Sequence, residues 1–256
     1  SKVIVFFVFV TLTTVVFSQE RRSLKSLITT GGKYIAVDPT GKTVYIAGNE
    51  YLIKSSDGGL NWGLTGTPYV HPEIVLVKPD DPNIILVTKV GELAYSNDGG
   101  SGSWQVVISD SNLHPIRLAL NWSDPNFMFL SRAPSLNNFS LWRSTNGGSL
   151  WFADSLFTPK KYVFDLTSYP DVADTQRNNM MFACGEGNPV QNHIWHGHRN
   201  GNYYGWFAAG LDAFGVSKNM KSIAIVPKKY PNDFARLLVE DVASANDTVF
   251  NVLSLS

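Results

Sequence analysis

The sequence predicts an all-β chain made by repeating one four-stranded module. Three observations carry the prediction. A short phrase recurs as SSDGGLNW at Ser55–Trp62, SNDGGSGSW at Ser96–Trp104 and STNGGSLW at Ser144–Trp151, with a worn copy, HRNGNYYGW, at His198–Trp206. A repeat of about 40–50 residues marks an array of identical supersecondary units. Short β-branched and aromatic runs lie between the copies, separated by turn residues, and no long segment keeps a helical period.

Each module reads as three strands followed by the phrase. First strands fall at Tyr34–Val37, Ile74–Val77, Ile116–Leu120, Val163–Thr167 and Ile223–Val226. The breaks DPTGK, KPDDPN, NWSDPN and KKYPND then supply residues suited to tight turns. Second strands follow at Thr43–Ala47, Ile84–Thr88, Phe127–Ser131, Met180–Ala183 and Ala235–Glu240. Third strands follow at Tyr51–Lys54, Glu92–Tyr95, Leu141–Arg143, His193–His196 and Val249–Leu253. Fourth strands are expected to begin at Trp62, Trp104, Trp151 and Trp206. Four strands per repeat with a fixed Gly/aromatic phrase indicate a propeller blade.

The phrase has a mechanical explanation. A carboxylate or carboxamide oxygen can accept the amides of its own turn. Glycines permit positive φ without steric cost. A Ser two residues earlier adds a second side-chain bond, and the Trp brings a large apolar surface to the space between sheets. On this reading Ser55, Asp57, Gly59, Trp62, Ser96, Asp98, Gly100, Trp104, Ser144, Asn146, Gly148, Trp151, Asn200 and Trp206 are structural, not catalytic.

Ser-x-Asp-x-Gly-x-x-Trp resembles the Asp-box, or BNR repeat, of sialidases, sortilin-type receptor ectodomains, photosystem assembly factors and xyloglucanase-like hydrolases. The resemblance covers about residues 30–256, and the third and fourth copies carry Asn in place of Asp. It implies a β-propeller whose repeats stabilise blades away from the functional face, and it leaves activity open.

Five blades are expected, at about 31–68, 69–113, 114–161, 162–215 and 216–256, the last incomplete. Ser254-Leu255-Ser256 stands where a fifth phrase should begin. The expectation is therefore a larger propeller, and the chain's opening on Ser1 suggests a longer gene product. The competing expectation is a closed ring in which Leu24–Thr29, within a lead-in of 19–30, supplies a closing strand. Residues 1–18 read as a secretory signal peptide: Lys2, an apolar run to Phe17, then Ser18. The run falls short of the ~20 residues a spanning helix needs. The expected location is secreted, extracellular or periplasmic, or at the cell surface, with no stable membrane insertion after cleavage.

Lys plus Arg and Asp plus Glu both number 21, so the formal net charge is zero and gives no basic footprint for nucleic acid. Cys184, the sole cysteine, lies in an apolar run and reads as an inert buried thiol. Sequons stand at Asn121, Asn138 and Asn246.

The end opposite the phrases is the candidate ligand face. Its loops carry Glu50, Tyr69, His71, Glu73, Glu92, His114, Lys161, Tyr162 and Glu186. No spacing singles out a glycosidase carboxylate pair among the glutamates. Arg117, Arg132, Arg143 and Arg199 do not form a sialidase-type cluster. His193, His196 and His198 look like a metal triplet, but strand alternation separates the first from the second, and His198 occupies the Ser position of the worn phrase. No metal, cofactor or catalytic residue is therefore assigned. The expected function is non-catalytic recognition of a protein or glycan, with an Asp-box-type glycoside hydrolase as the alternative.

Overall fold

A computed structural model describes residues 32–65, 69–102, 104–133, 140–154, 163–169, 179–185, 194–200, 203–208, 220–226, 235–241 and 250–255. The expected signal peptide and the Leu24–Thr29 strand lie outside them. The described residues form β-structure throughout, with no helix, and so with none long and apolar enough to cross a membrane.

Five antiparallel sheets follow one another along the chain. The first orders β1 (Gly32–Val37), β2 (Val44–Gly48), β3 (Leu52–Ser55) and β4 (Gly63–Leu64). The second orders β5 (Ile74–Lys78), β6 (Asp81–Lys89), β7 (Glu92–Ser96) and β8 (Gln105–Ser109). The third contains β9 (Pro115–Leu120), β10 (Met128–Arg132), β11 (Leu141–Ser144) and β12 (Phe152–Ala153). The fourth contains β13 (Val163–Ser168), β14 (Met180–Gly185), β15 (Ile194–Asn200) and β16 (Tyr203–Ala208). The fifth has three described strands, β17 (Met220–Val226), β18 (Ala235–Asp241) and β19 (Phe250–Leu255). In each sheet consecutive strands pair in chain order, as short connections dictate.

The chain divides into two compact units, residues 1–89 with 93–106, and 90–92 with 107–256. In the first unit, alternate residues of neighbouring sheets share one core. Tyr45, Ala47 and Leu52 from the first sheet meet Val75, Val77, Ile85, Val87 and Ala94 from the second. In the second unit, Phe129 and Leu141 meet Met181, Ala183 and Trp195. The tryptophans seal these seams: Trp104 meets Tyr69 at a 55° tilt with centroids 5.0 Å apart, and Trp206 meets Phe129 edge-on at 5.6 Å.

Three of the four phrases build the same turn. The Ser55 hydroxyl donates to Asp57 Oδ1 at 2.8 Å and accepts the Gly59 amide at 2.8 Å. Asp57 Oδ1 also accepts the Asn61 amide at 2.8 Å. Ser96, Asp98 and Gly100 repeat this arrangement, as do Ser144, Asn146 and Gly148. Asn146 Oδ1 accepts the Leu150 amide at 3.0 Å, so the carboxamide replaces the carboxylate as acceptor. The paired glycines Gly58 and Gly59 hold φ of 73° and 92°, which side chains rarely adopt. The indole N–H groups of Trp62 and Trp151 close their turns on the carbonyls of Gly59 and Gly148, both at 2.8 Å.

The fourth phrase departs from this pattern. His198 and Asn200 lie within β15 and pair with Gly205 and Tyr203, so the ladder continues where the other phrases have already turned. The local reason is the absence of a Ser hydroxyl and of a glycine pair, which leaves strand pairing unopposed through Asn200. Trp206 accordingly sits inside β16, while Trp62, Trp104 and Trp151 each stand one residue before their strand.

Candidate functional site

Backbone bonds show how the ends of each sheet are arranged. The amides of Gly58, Gly99 and Gly147 donate to the carbonyls of Lys42, Asn83 and Asn126, at 2.7, 2.8 and 3.0 Å. Each regular phrase therefore shares an end with the first turn of its own sheet. Among the described candidates, Glu50 follows β2, Glu73 precedes β5, Glu92 opens β7 and His114 precedes β9, away from these turns.

In the first unit the segment leaving β4 returns alongside the start of β3. Tyr51 bridges Val70, the Leu52 amide donates to the Tyr69 carbonyl at 3.0 Å, and the His71 amide donates to the Glu50 carbonyl at 2.8 Å. His71 carries φ of 54°, the one positive value on a non-glycine among the described residues. Its Nδ1 lies 3.1 Å from the Asn49 carbonyl oxygen, which can only accept, so Nδ1 bears the proton. His71 and Glu50 are exposed, and half-buried Glu73 makes a 3.6 Å ion pair with Lys33.

Tyr69 is a correction. It is buried, packed on Trp104 and beneath the Lys89 ammonium, 5.1 Å from the ring centroid. It belongs to the seam between sheets, not to a solvent-facing rim, because its position opposite Leu52 turns it inward.

In the second unit Glu92 is half-buried at the start of β7, and His114 is exposed, its carbonyl accepting the Ala133 amide at 2.9 Å. Lys161, Tyr162 and Glu186 lie outside the described residues. No motif or spacing marks the buried ion pair here. Arg132, wholly buried at the end of β10, donates to Asp110 Oδ2 at 2.6 Å and to the Asn112 carbonyl at 3.0 Å. The Arg132 guanidinium holds the Asp110 carboxyl below its ordinary range. A second ion pair joins Arg117 on β9 to Asp165 on β13 at 2.9 Å, and Asp165 also accepts the Ile223 amide at 3.1 Å. Cys184 is buried, and burial pushes its thiol well up, as for an inert thiol. Among the described residues no group of three or more His, Cys, Asp or Glu side chains is placed to hold a metal ion.

The sequence matches no known protein family and no curated protein. Solved structures do resemble it. The GH74 enzyme of Niastella koreensis superposes with a TM-score of 0.63 at 16% identity over 87% of this chain. The GH74 xyloglucanase of Xanthomonas campestris gives 0.58 at 13% over 86%, and an ancestral GH74 enzyme gives 0.59 at 16% over 88%. The fold is a β-propeller of four-stranded blades. The chain spans 30%, 38% and 31% of the lengths of these three structures.

Proposed function

We propose that this propeller is a secreted or cell-surface recognition module that binds a glycan without cleaving it, and that its three regular turn phrases are Asp-boxes. The observation that carries the non-catalytic reading is the commitment of its aspartates. Asp57 and Asp98 are held in turns, Asp110 by Arg132, Asp124 by Arg199 and Asp165 by Arg117. A glycosidase needs two carboxyl groups about 5–10 Å apart across a cleft, one of them able to give a proton. For Asp57, Asp98 and Asp110 the hydrogen bonds of the turns and the Arg132 guanidinium favour the charged form, which serves a proton donor poorly. The glycan is favoured over a protein ligand by the likeness to GH74 enzymes, one of which is described as a xyloglucanase.

One observation favours hydrolysis as a second reading. Glu50 and Glu73 flank His71 in the first unit, and neither is held by an arginine among the contacts described. Incubating the chain with xyloglucan and a panel of β-glucans, read for retention and for released reducing ends, separates the two. Retention without release is expected. Release of reducing sugar overturns the non-catalytic reading, and neither retention nor release overturns the glycan.

A further inference from the structure

The continuation of β15 through residue 198 has a chemical consequence. His196 and His198 are two residues apart on one strand, so both project from the same face. Their rings stand nearly perpendicular, at 81°, with centroids 5.0 Å apart. His196 Nδ1 and His198 Nε2 are 3.0 Å from each other. Both side chains are half-buried, which leaves solvent a route to them.

We infer that His196 and His198 form a bidentate site for a divalent transition-metal ion, Cu(II) being the ion that fits best. Imidazole–metal bonds are about 2.0–2.1 Å long. Two such bonds at a right angle place their nitrogens about 2.9 Å apart, and at a tetrahedral angle about 3.4 Å. The observed 3.0 Å is close to the spacing of two imidazole nitrogens on one metal ion, so modest ring rotations bring both to a shared ion. Cu(II) stands highest in the general affinity order of divalent ions. Met180 pairs directly with His198 across the ladder and is buried, so the two residues share a face of the sheet.

Proton accounting is simple. In the metal-free pair one ring donates its N–H to the other. On binding, that proton moves to the same ring's other nitrogen, both lone pairs turn to the metal, and water fills the remaining positions. Nothing is oxidised or reduced. With only two nitrogen ligands the ion stays exchangeable, unlike zinc in a closed four-ligand site.

The test titrates the full chain with copper sulfate near pH 7, by calorimetry and by electron paramagnetic resonance. One exchangeable equivalent is expected, with hyperfine structure from two imidazole nitrogens. His196→Gln and His198→Gln should each weaken binding at least about tenfold, since chelation by two linked groups is lost. Unchanged affinity in both variants overturns the site. So does a spectrum of backbone-amide nitrogens from the amino terminus, which the unaltered chain reveals even if the variants fold poorly. Tighter binding of Zn(II) than of Cu(II) overturns the choice of ion.

Discussion

Asp110→Ala is the most informative perturbation of the second unit. Arg132 is wholly buried, while the Asp110 side chain keeps about a quarter of its exposure. Two unit charges about 4 Å apart at an effective dielectric near 20 attract by about 4 kcal/mol. Removing one partner of a fully buried pair costs about 3–5 kcal/mol, because the other charge stays behind without compensation. The partial exposure of Asp110 moves the expectation to about 2–4 kcal/mol, which includes loss of its 2.9 Å bond from the Asn112 amide. The assay is urea unfolding at neutral pH, reading a lower midpoint at unchanged slope. The companion is Asp110→Ala with Arg132→Met, which leaves no buried charge and should recover at least about 1 kcal/mol relative to Asp110→Ala alone. A single variant within about 0.5 kcal/mol of the parent, or a double variant showing simple additive loss, refutes the reasoning.

Ser144→Ala should cost about 1–3 kcal/mol, since it strips the buried Gly148 amide of its 2.9 Å acceptor; an unchanged urea midpoint would show that the hydroxyl does not hold the turn. Acid should weaken the fold through Asp57 and Asp110. Hydrogen bonds from Asn61, backbone first, and then from Ser55 push Asp57 down to about 2, from an ordinary 3.8, and Arg132 lowers Asp110. Both folded values lie below the unfolded ones, so the contribution is complete above pH 4 or so and is lost as pH falls toward about 2. Urea midpoints that stay level between about pH 5 and pH 2.5 would contradict this. The sequon at Asn121 should stay unmodified in folded protein from a glycosylating host. Asn121 is 1% exposed and its Oδ1 accepts the Ser123 hydroxyl at 2.6 Å and two backbone amides. Peptide mapping that finds full glycan occupancy at Asn121 in folded material would contradict this placement.

The three regular phrases were legible because their chemistry is local. Ser55, Asp57 and Gly59 bond one another within five residues, and Gly58 and Gly59 supply the positive φ, so residue type and spacing determine the turn. The worn copy shows the limit of that logic. HRNGNYYGW preserves Asn and Trp at the expected spacing, but without the hydroxyl and the glycine pair the strand pairing runs on to Asn200. Trp206 still reaches the neighbouring blade, at Phe129, from the middle of a strand. The aromatic wedge is therefore separable from the turn that usually precedes it.

The candidate ligand end was harder to read because distant residues fix it. Arg132 reaches Asp110 across 22 positions, and His71 reaches Asn49 across 22. No periodicity links such pairs. Tyr69 illustrates the consequence: it follows a Thr-Gly-Thr-Pro stretch that reads as loop, yet pairing beside β3 buries it. The histidines fail in the opposite way. HIWHGH was conspicuous as a string, but its meaning depends on whether position 198 belongs to a turn or to a strand. In a turn, His198 would point wherever the loop required. In β15, strand alternation forces it onto the face of His196, and the 3.0 Å approach follows from that register. The same hairpin that removes one structural repeat thus creates the one close histidine pair among the described residues.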